Sequence, residues 1–567
     1  MAGPGRRVLR AGTASLVALV LVLALAGPAS AHAQLLSSDP VQSSVLTASP
    51  GRVVLNFGEP VEIDFGSLRV LGPAGQRVDS GGTRHPAGDS HSVEIGLPAD
   101  LPAGTYVVAW RVISADSHPV EGAFLFSIGT AQGAGAARRV ASALTGAGGS
   151  VAVGLLFWLV RTLAFLALVL LVGVAALLAL VPVPEVVTGR VRRVISLSWV
   201  TLLATSVLAV AVQGAYAAAL PLSAMVRPSL FVEVLHTRFG QVEVLRVVIL
   251  LALVPLRRVV AGPADSSRGR ARLLLAGLLA LGLMATPGLA GHAGTGSDIP
   301  LSMALDVLHL GGVSAWFGGL VVLVLVLLPG DADAGEAAPL AGAVSAWAFT
   351  GVVTVVASGV VQSVRQVGSG YALFHTTYGR TLLVKVGLVV LLVTLGAVSR
   401  SAVPSARSLT RPWRRRPGPA VPGLRRLRRS VLAELALALA VLGVTGLLVN
   451  AVPAAQAAAQ PFSHSFQTLG IEVNVIVDPA RAGTGNTVHC YVLNSLGASE
   501  AIPELDVSLS LPSARLGPLA VPLVVVGPGH YAAYGVDIPQ GGSWVLTLTV
   551  RTSSFDEQEV VTTFPVH

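Results

Sequence analysis

The stretch Tyr106–Gly129, YVVAWRVISADSHPVEGAFLFSIG, sets two apolar runs, Tyr106 to Ile113 and Phe124 to Ile128, on either side of a polar joint. Runs of this length, rich in β-branched and aromatic residues, read as strands. Further upstream, Val53 to Phe57 and Ser67 to Leu71 repeat the pattern, and Gly72-Pro73 and Gly81-Gly82 punctuate it. Residues 32–129 are therefore expected to form a small antiparallel β-sandwich or barrel. Within the joint, Asp116 and His118 stand two apart, and on an extended backbone such residues project to one side; Pro119 biases His118 toward that form. One short segment thus offers a carboxylate oxygen and an imidazole nitrogen together.

The chain before this domain has Arg6, Arg7 and Arg10, an apolar run from Ser15 to Ala26, and the small residues Ala29, Ser30 and Ala31. This is the pattern of a cleaved secretory signal over residues 1–31. Cleavage there makes His32 the first residue. An N-terminal histidine closes a chelate with its amine and its ring, and an amine of pKa about 8 is readily deprotonated by a strong Lewis acid. With Asp116 and His118, His32 completes a set of four nitrogen and oxygen donors, which suits tetragonal Cu(II). The only cysteine is Cys490, so an intrachain disulfide and a thiolate cluster are excluded. Four methionines (Met1, Met225, Met284 and Met303) are too few for a methionine-rich Cu(I) site.

Beyond residue 129 the composition takes over. Hydrophobic residues are 53% of the 567 and charged residues 12%, which excludes a soluble enzyme and points to a lipid bilayer as partner. After a linker at 130–150, runs long enough to span a membrane occur near 155–181, 196–220, 242–260, 271–290, 305–328, 340–363, 381–399 and 430–452, eight in all. The net charge of +9 comes from arginines clustered between alternate runs, ten of them from Arg400 to Arg429. This reports orientation, not nucleic-acid binding. An even number of spans puts the tail, 453–567, on the same outer side as the first domain. Alternation at Ile471, Val473, Val475 and Val477 and again at Trp544, Leu546, Leu548 and Val550 makes that tail a second β-sandwich. His489 and Cys490 are adjacent on a strand and point to opposite faces.

The membrane block, 151–452, contains a repeat: LHTRFGQVEVLRVVILLAL from Leu235 and FHTTYGRTLLVKVGLVVLL from Phe374. His236 corresponds to His375, Gly240 to Gly379 and Arg246 to Lys385, the chain's only lysine. Charges a turn or two inside a span cost about 2.5–3.5 kcal/mol on insertion scales and usually face a polar interior. His292 and His309 fall at the same outer depth as His236 and His375, so a four-histidine cluster is expected there. Asp306, three residues before His309, is on one helical face with it and would orient its ring. Small residues in GGVSAWFGGL from Gly311 suit close helix packing.

Residues 32–129, through HAQLLSSDPVQSSVL, VVLNFGEPVE and the stretch quoted first, resemble the CopC family of periplasmic copper-binding proteins. The resemblance implies Cu(II) ligation by His32, Asp116 and His118, with Glu59 as an additional weak carboxylate. The segments HTRFG, GHA, DVLHLGGVSAWFGGL and TTYGRTLLVK resemble the CopD family of copper-resistance membrane proteins, which implies copper movement across the inner membrane of a bacterium, generally uptake. The tail loosely resembles YtkA-like domains. The expected protein is a multidomain membrane protein that binds and transports copper and is not an enzyme. A tethered copper buffer and a copper or haem redox protein are the competing classes.

Overall fold

The computed structural model describes residues 33, 35–40, 44–63, 65, 68–129, 150–180, 185–255, 267–295, 298–327, 334–368, 370–401, 422–457, 462–494 and 500–566. The signal segment and His32 lie outside these residues.

The first domain contains β1 (Leu35–Asp39), β2 (Val45–Leu46), β3 (Arg52–Phe57), β4 (Val61–Glu62), β5 (Leu68–Leu71), β6 (Ser92–Gly96), β7 (Gly104–Ser114) and β8 (Pro119–Ile128). One sheet runs β1-β3-β6; the other runs β2-β8-β7-β4, with β5 also on β7. Alternation along β3 buries Val53, Leu55 and Phe57 in one core with Ile95 of the adjacent β6 and with Tyr106, Phe124 and Phe126 of the other sheet. The long β7–β8 hairpin pairs from Gly104↔Ile128 to Ile113↔Pro119, so residues 115–118 form its tip.

That tip is not extended. Ser117 donates its amide to Ser114 and has a left-handed φ of 72°, while Ser114 donates its amide to His118. Asp116 and His118 are brought together by a turn, and not by strand alternation as the spacing suggested. The short joint must reverse the chain, which an extended dipeptide cannot do.

The membrane block comprises α1 (Val151–Leu180), α2 (Glu185–Ala217), α3 (Pro228–His236), α4 (Arg238–Leu253), α5 (Ser267–Leu289), α6 (Ile299–Leu327), α7 (Ala334–Val367), α8 (Gly370–His375), α9 (Thr377–Ser401), α10 (Pro422–Val449) and the short α11 (Ala454–Ala457). Among the described residues seven helices are long and apolar enough to cross a membrane, against the eight expected. The difference is the run at 242–260. It falls on α4, whose 16 residues include buried Glu243 and Arg246, and residues 256–266 lie outside the description. Helix packing is close where small residues meet: a Cβ on Gly173 would overlap the Ser314 carbonyl, and one on Gly312 would come 2.8 Å from the Gly351 oxygen.

The repeat proves to be a helix corner. In each copy a short helix ends at the histidine, and the next residue caps the helix that follows: Thr237 Oγ1 accepts from the Gly240 amide at 3.2 Å, Thr376 Oγ1 from the Gly379 amide at 3.0 Å. A side chain at Gly240 or Gly379 would strike the carbonyl of Val234 or Leu373. Threonine and glycine therefore hold the corner.

The tail forms a second sandwich from β9 (Phe462–Thr468), β10 (Ile471–Asp478), β11 (Gly483–Leu493), β12 (Glu504–Leu511), β13 (Leu516–Val521), β14 (Val524–Gly527), β15 (His530–Ile538), β16 (Gly542–Arg551) and β17 (Glu557–Val566). The sheets β14-β15-β11-β10-β9 and β13-β12-β16-β17 share one core built on Val473, Val475, Cys490, Trp544 and Leu546.

Candidate metal centre at the membrane mouth

The hairpin tip carries the densest chemistry of the first domain. Asp116 is fully buried, and Ser117 and His118 nearly so. His118 Nδ1 lies 3.3 Å from Asp116 Oδ1, and its Nε2 lies 3.0 Å from the carbonyl oxygen of Val449. A carbonyl only accepts, so Nε2 holds the ring proton. With the ring neutral, Nδ1 would carry a lone pair beside the Asp116 carboxylate, and the two together would be able to hold a cation. Nitrogen and oxygen ligands at about 2.0–2.1 Å from one ion, in neighbouring positions, stand about 3 Å apart. The Val449 carbonyl fixes the ring as outer partners fix metal-bound histidines.

Two further observations extend the site. Glu59 accepts from Ser114 Oγ at 2.7 Å, and Ser114 Oγ accepts from the Ala33 amide at 3.3 Å. Ala33 is buried, and Ser114, which accepts from its amide, stands two residues before Asp116. Glu59 therefore reaches the centre through Ser114.

The tip does not face water. Ser117 Oγ donates to the Ala290 carbonyl at 2.9 Å, and Gln213 Nε2 donates to the Ser117 carbonyl at 3.2 Å. Arg111 donates to the carbonyls of Ala217 and Tyr216 at 2.7 and 3.1 Å, and Glu62 accepts from the Arg238 amide at 2.8 Å. Phe65 packs into the apolar cluster of Val153, Phe157 and Phe239. The contacts come from the ends of α2, α5 and α10 and the start of α4, so these ends share one face of the bundle. Helix α4 leads away from that face, whereas α2 and α5 arrive at it.

Under the tip lies a buried polar cluster. Arg161 Nη1 donates to Asn450 Oδ1 at 2.7 Å, stacks over Phe157, and is within electrostatic reach of Glu243, Arg246 and Asp116. Arg246 Nη1 donates to both Glu243 oxygens at 2.6 and 2.7 Å, and its Nε donates to Thr286 at 2.8 Å. Thus Arg246, expected from the repeat, is neutralised by a residue three positions before it on its own helix.

Of the four histidines expected to cluster, His236, His309 and His375 are not grouped with one another among the described residues. Among the described residues no three His, Cys, Asp or Glu side chains are grouped to hold a metal ion. His236 and His375 are exposed at the two corners, and His236 Nδ1 donates to its own helix at Val232 O, 2.9 Å. The His292 side chain lies outside the described residues. Shared depth put these residues in one layer; the separate helices they terminate keep them apart.

His309 and Asp306 occupy the interior of the second half. The Ser358 hydroxyl donates to the Thr354 carbonyl at 2.6 Å, so it accepts from His309 Nδ1 at 3.0 Å and leaves Nε2 as the lone-pair nitrogen. Asp306 Oδ1 accepts from Gln362 Nε2 at 2.9 Å and does not orient His309. Helix α7 supplies both partners one turn apart, and each contact across the helices replaces the expected one along α6. Lys385 is within electrostatic reach of both groups. Gly288 makes room beside them: a Cβ there would lie 2.9 Å from Met303 Sδ and 3.0 Å from Asp306 Oδ2. Asp306 is thus near the loop whose Ala290 carbonyl holds Ser117.

Sequence reasoning missed Arg161, Gln213, Glu243 and Asn450. Their polarity within apolar runs was a usable signal. The carbonyls of Ala290 and Val449 had none, since every residue carries one.

Residues 35–129 match the CopC domain, 150–303 the N-terminal domain of copper resistance protein D-like proteins, and 340–448 copper resistance protein D. The chain is 29% identical over 482 residues to copper transport protein CutJ of Bacillus subtilis (strain 168), covering 82% of this chain and 83% of that protein. It is 36% identical over 114 residues to copper resistance protein C of Escherichia coli, 19% of this chain and 90% of that protein. To copper resistance protein D of Pseudomonas syringae pv. tomato it is 32% identical over 196 residues, 33% of this chain and 61% of that protein. These relatives are copper transport and copper resistance proteins, not enzymes. The chain belongs to the copper-resistance family, a multi-pass membrane protein that carries a CopC domain and a CopD domain in one polypeptide.

Proposed function

We propose that the first domain captures Cu(II) from outside the bacterial inner membrane and passes copper directly into the bundle for uptake. The ligands are the amine and ring of His32, the Asp116 carboxylate and His118 Nδ1, with Glu59 as a weak additional contact. The observation that carries this reading is the hairpin tip, which presents Asp116 and His118 while hydrogen-bonded to Ala290, Gln213 and Val449 of the bundle. Capture and acceptance are then separated by side chains and not by bulk water. Covalent fusion adds an effective concentration in about the millimolar range, so tight docking is not required.

The reading of His32 as a ligand is supported by its sequence neighbour Ala33, whose amide donates to Ser114 beside the turn. The acceptor is Asp306, reached past Gly288, with the Met303 thioether next to it and His309 Nε2 deeper on the same helix; Lys385 balances the charge. His236, His292 and His375 serve the outer approach. With α4 leading away from the mouth, the bundle crosses eight times and returns both β-domains to the outer side.

Copper accumulation in vesicles holding the full chain tests the reading. Asp116→Ala with His118→Ala abolishes high-affinity binding and lowers uptake, whereas His309→Ala and Lys385→Ala leave binding intact and lower uptake. Unchanged flux in the last two variants reduces the protein to a tethered copper buffer. One extra residue ahead of His32 should weaken binding strongly, and unaltered affinity would remove the amine from the ligand set.

A further inference from the structure

The second sandwich holds a histidine pair outside everything assigned above. On the outer face of its five-stranded sheet, His489 of β11 stands opposite Ala532 of β15, and Tyr491 stands opposite His530. The two histidines therefore meet diagonally across the strands, His489 Nδ1 3.0 Å from His530 Nε2. Cys490, between His489 and Tyr491 in sequence, is turned into the core opposite Val475. His489 and Cys490 thus point to opposite faces as their adjacency requires, and the partner of His489 is His530, 41 residues away.

The surroundings are built around the rings. Tyr491 stacks on His530 with centroids 4.5 Å apart, and Tyr534 meets His489 edge-on at 5.8 Å. His530 is 3% exposed, and its Nδ1 is buried with no hydrogen-bond partner. Leaving a buried polar atom unsatisfied is destabilising, which an aliphatic side chain at this position would avoid. Burial lowers both rings to about 4, His489 adding to the effect on His530, so both are neutral near pH 7 and keep a lone pair each.

We propose that His489 Nδ1 and His530 Nε2 form a second metal site, taking a borderline transition-metal ion with Cu(II) preferred. Two nitrogens about 2.0–2.1 Å from a common ion in adjacent positions lie about 3 Å apart, the spacing already present. Binding requires only that the ring donating between them change tautomer, its proton moving to its far nitrogen, so that both rings stay neutral and both facing nitrogens carry a lone pair. For nitrogen donors Cu(II) outranks Zn(II) in affinity, and water completes the coordination. The site is independent of the hairpin centre and of the route through the bundle. It gives the second outer domain a metal-holding capacity of its own.

The test uses the full chain in detergent, with Cu(II) as the probe and Asp116→Ala/His118→Ala as background. Adding either His489→Gln or His530→Gln should remove one copper equivalent, and an unchanged stoichiometry in both overturns the proposal. A measurement without substitution at the pair guards against misfolding. In the background protein, Cu(II) should slow amide exchange in 483–493 and 530–538, and unaltered exchange there also overturns it. Zn(II) bound at the pair more tightly than Cu(II) would overturn the metal preference.

Discussion

Replacing Glu243 by glutamine tests whether the polar cluster under the hairpin is held by charge balance. Glu243 and Arg246 are 4% and 6% exposed and joined by two hydrogen bonds of 2.6 and 2.7 Å. Removing one partner of a buried pair leaves an uncompensated charge and costs about 3–5 kcal/mol. Here the cost is expected at the upper end, because Arg161 is a second cation in electrostatic reach. Replacing Arg246 by methionine as well removes the charge that Glu243→Gln strands. The double variant should therefore recover most of the loss, a coupling of about 2–3 kcal/mol in a mutant cycle. The assay is unfolding of the purified full chain in a detergent titration, with copper accumulation in vesicles measured in parallel. A single variant as stable as the parent, or a double variant whose losses simply add, refutes the argument from charge balance.

Other perturbations follow from the same geometry. Thr237→Val and Thr376→Val each remove a helix cap and should cost about 1 kcal/mol in thermal or denaturant unfolding, by similar amounts because the two corners are alike. Gly173→Ala places a methyl group on the Ser314 carbonyl and should destabilise the bundle more than Gly277→Ala, where nothing lies within 4 Å; comparison of detergent melts decides it. In the first domain, burial opposes the charge on Asp79, but hydrogen bonds from Arg77 and from the Val70 and Gly81 amides outweigh it and hold the carboxyl below its ordinary range. Its folded-state pKa lies below the unfolded value of about 3.9, so its stabilisation is complete well above that pH and is lost as pH falls through the folded value. Asp79→Asn should therefore lower the melting temperature of that domain at pH 7, with a gap from the parent that narrows on acidification.

The amino-acid order by itself determined the order of the parts: β-domain, apolar bundle, β-domain. Strand alternation and long apolar runs are local properties, set by the surroundings each residue must face. It likewise marked Asp116 and His118, because an unusual pair at one hairpin needs no distant partner to be seen. It misjudged how that pair converges, since a turn with left-handed Ser117 has no signature without glycine. It also put His236 and His375 in a metal cluster, when the threonine and glycine around each mark a helix corner. Only the tertiary structure decided which groups meet: His118 with the Val449 carbonyl, Asp306 with Gln362, His489 with His530. Such contacts join residues far apart in the chain, and several use backbone carbonyls, which are chemically the same at every position. Their selectivity comes from where helix ends and strand registers fall in space, and no local pattern of residues encodes that.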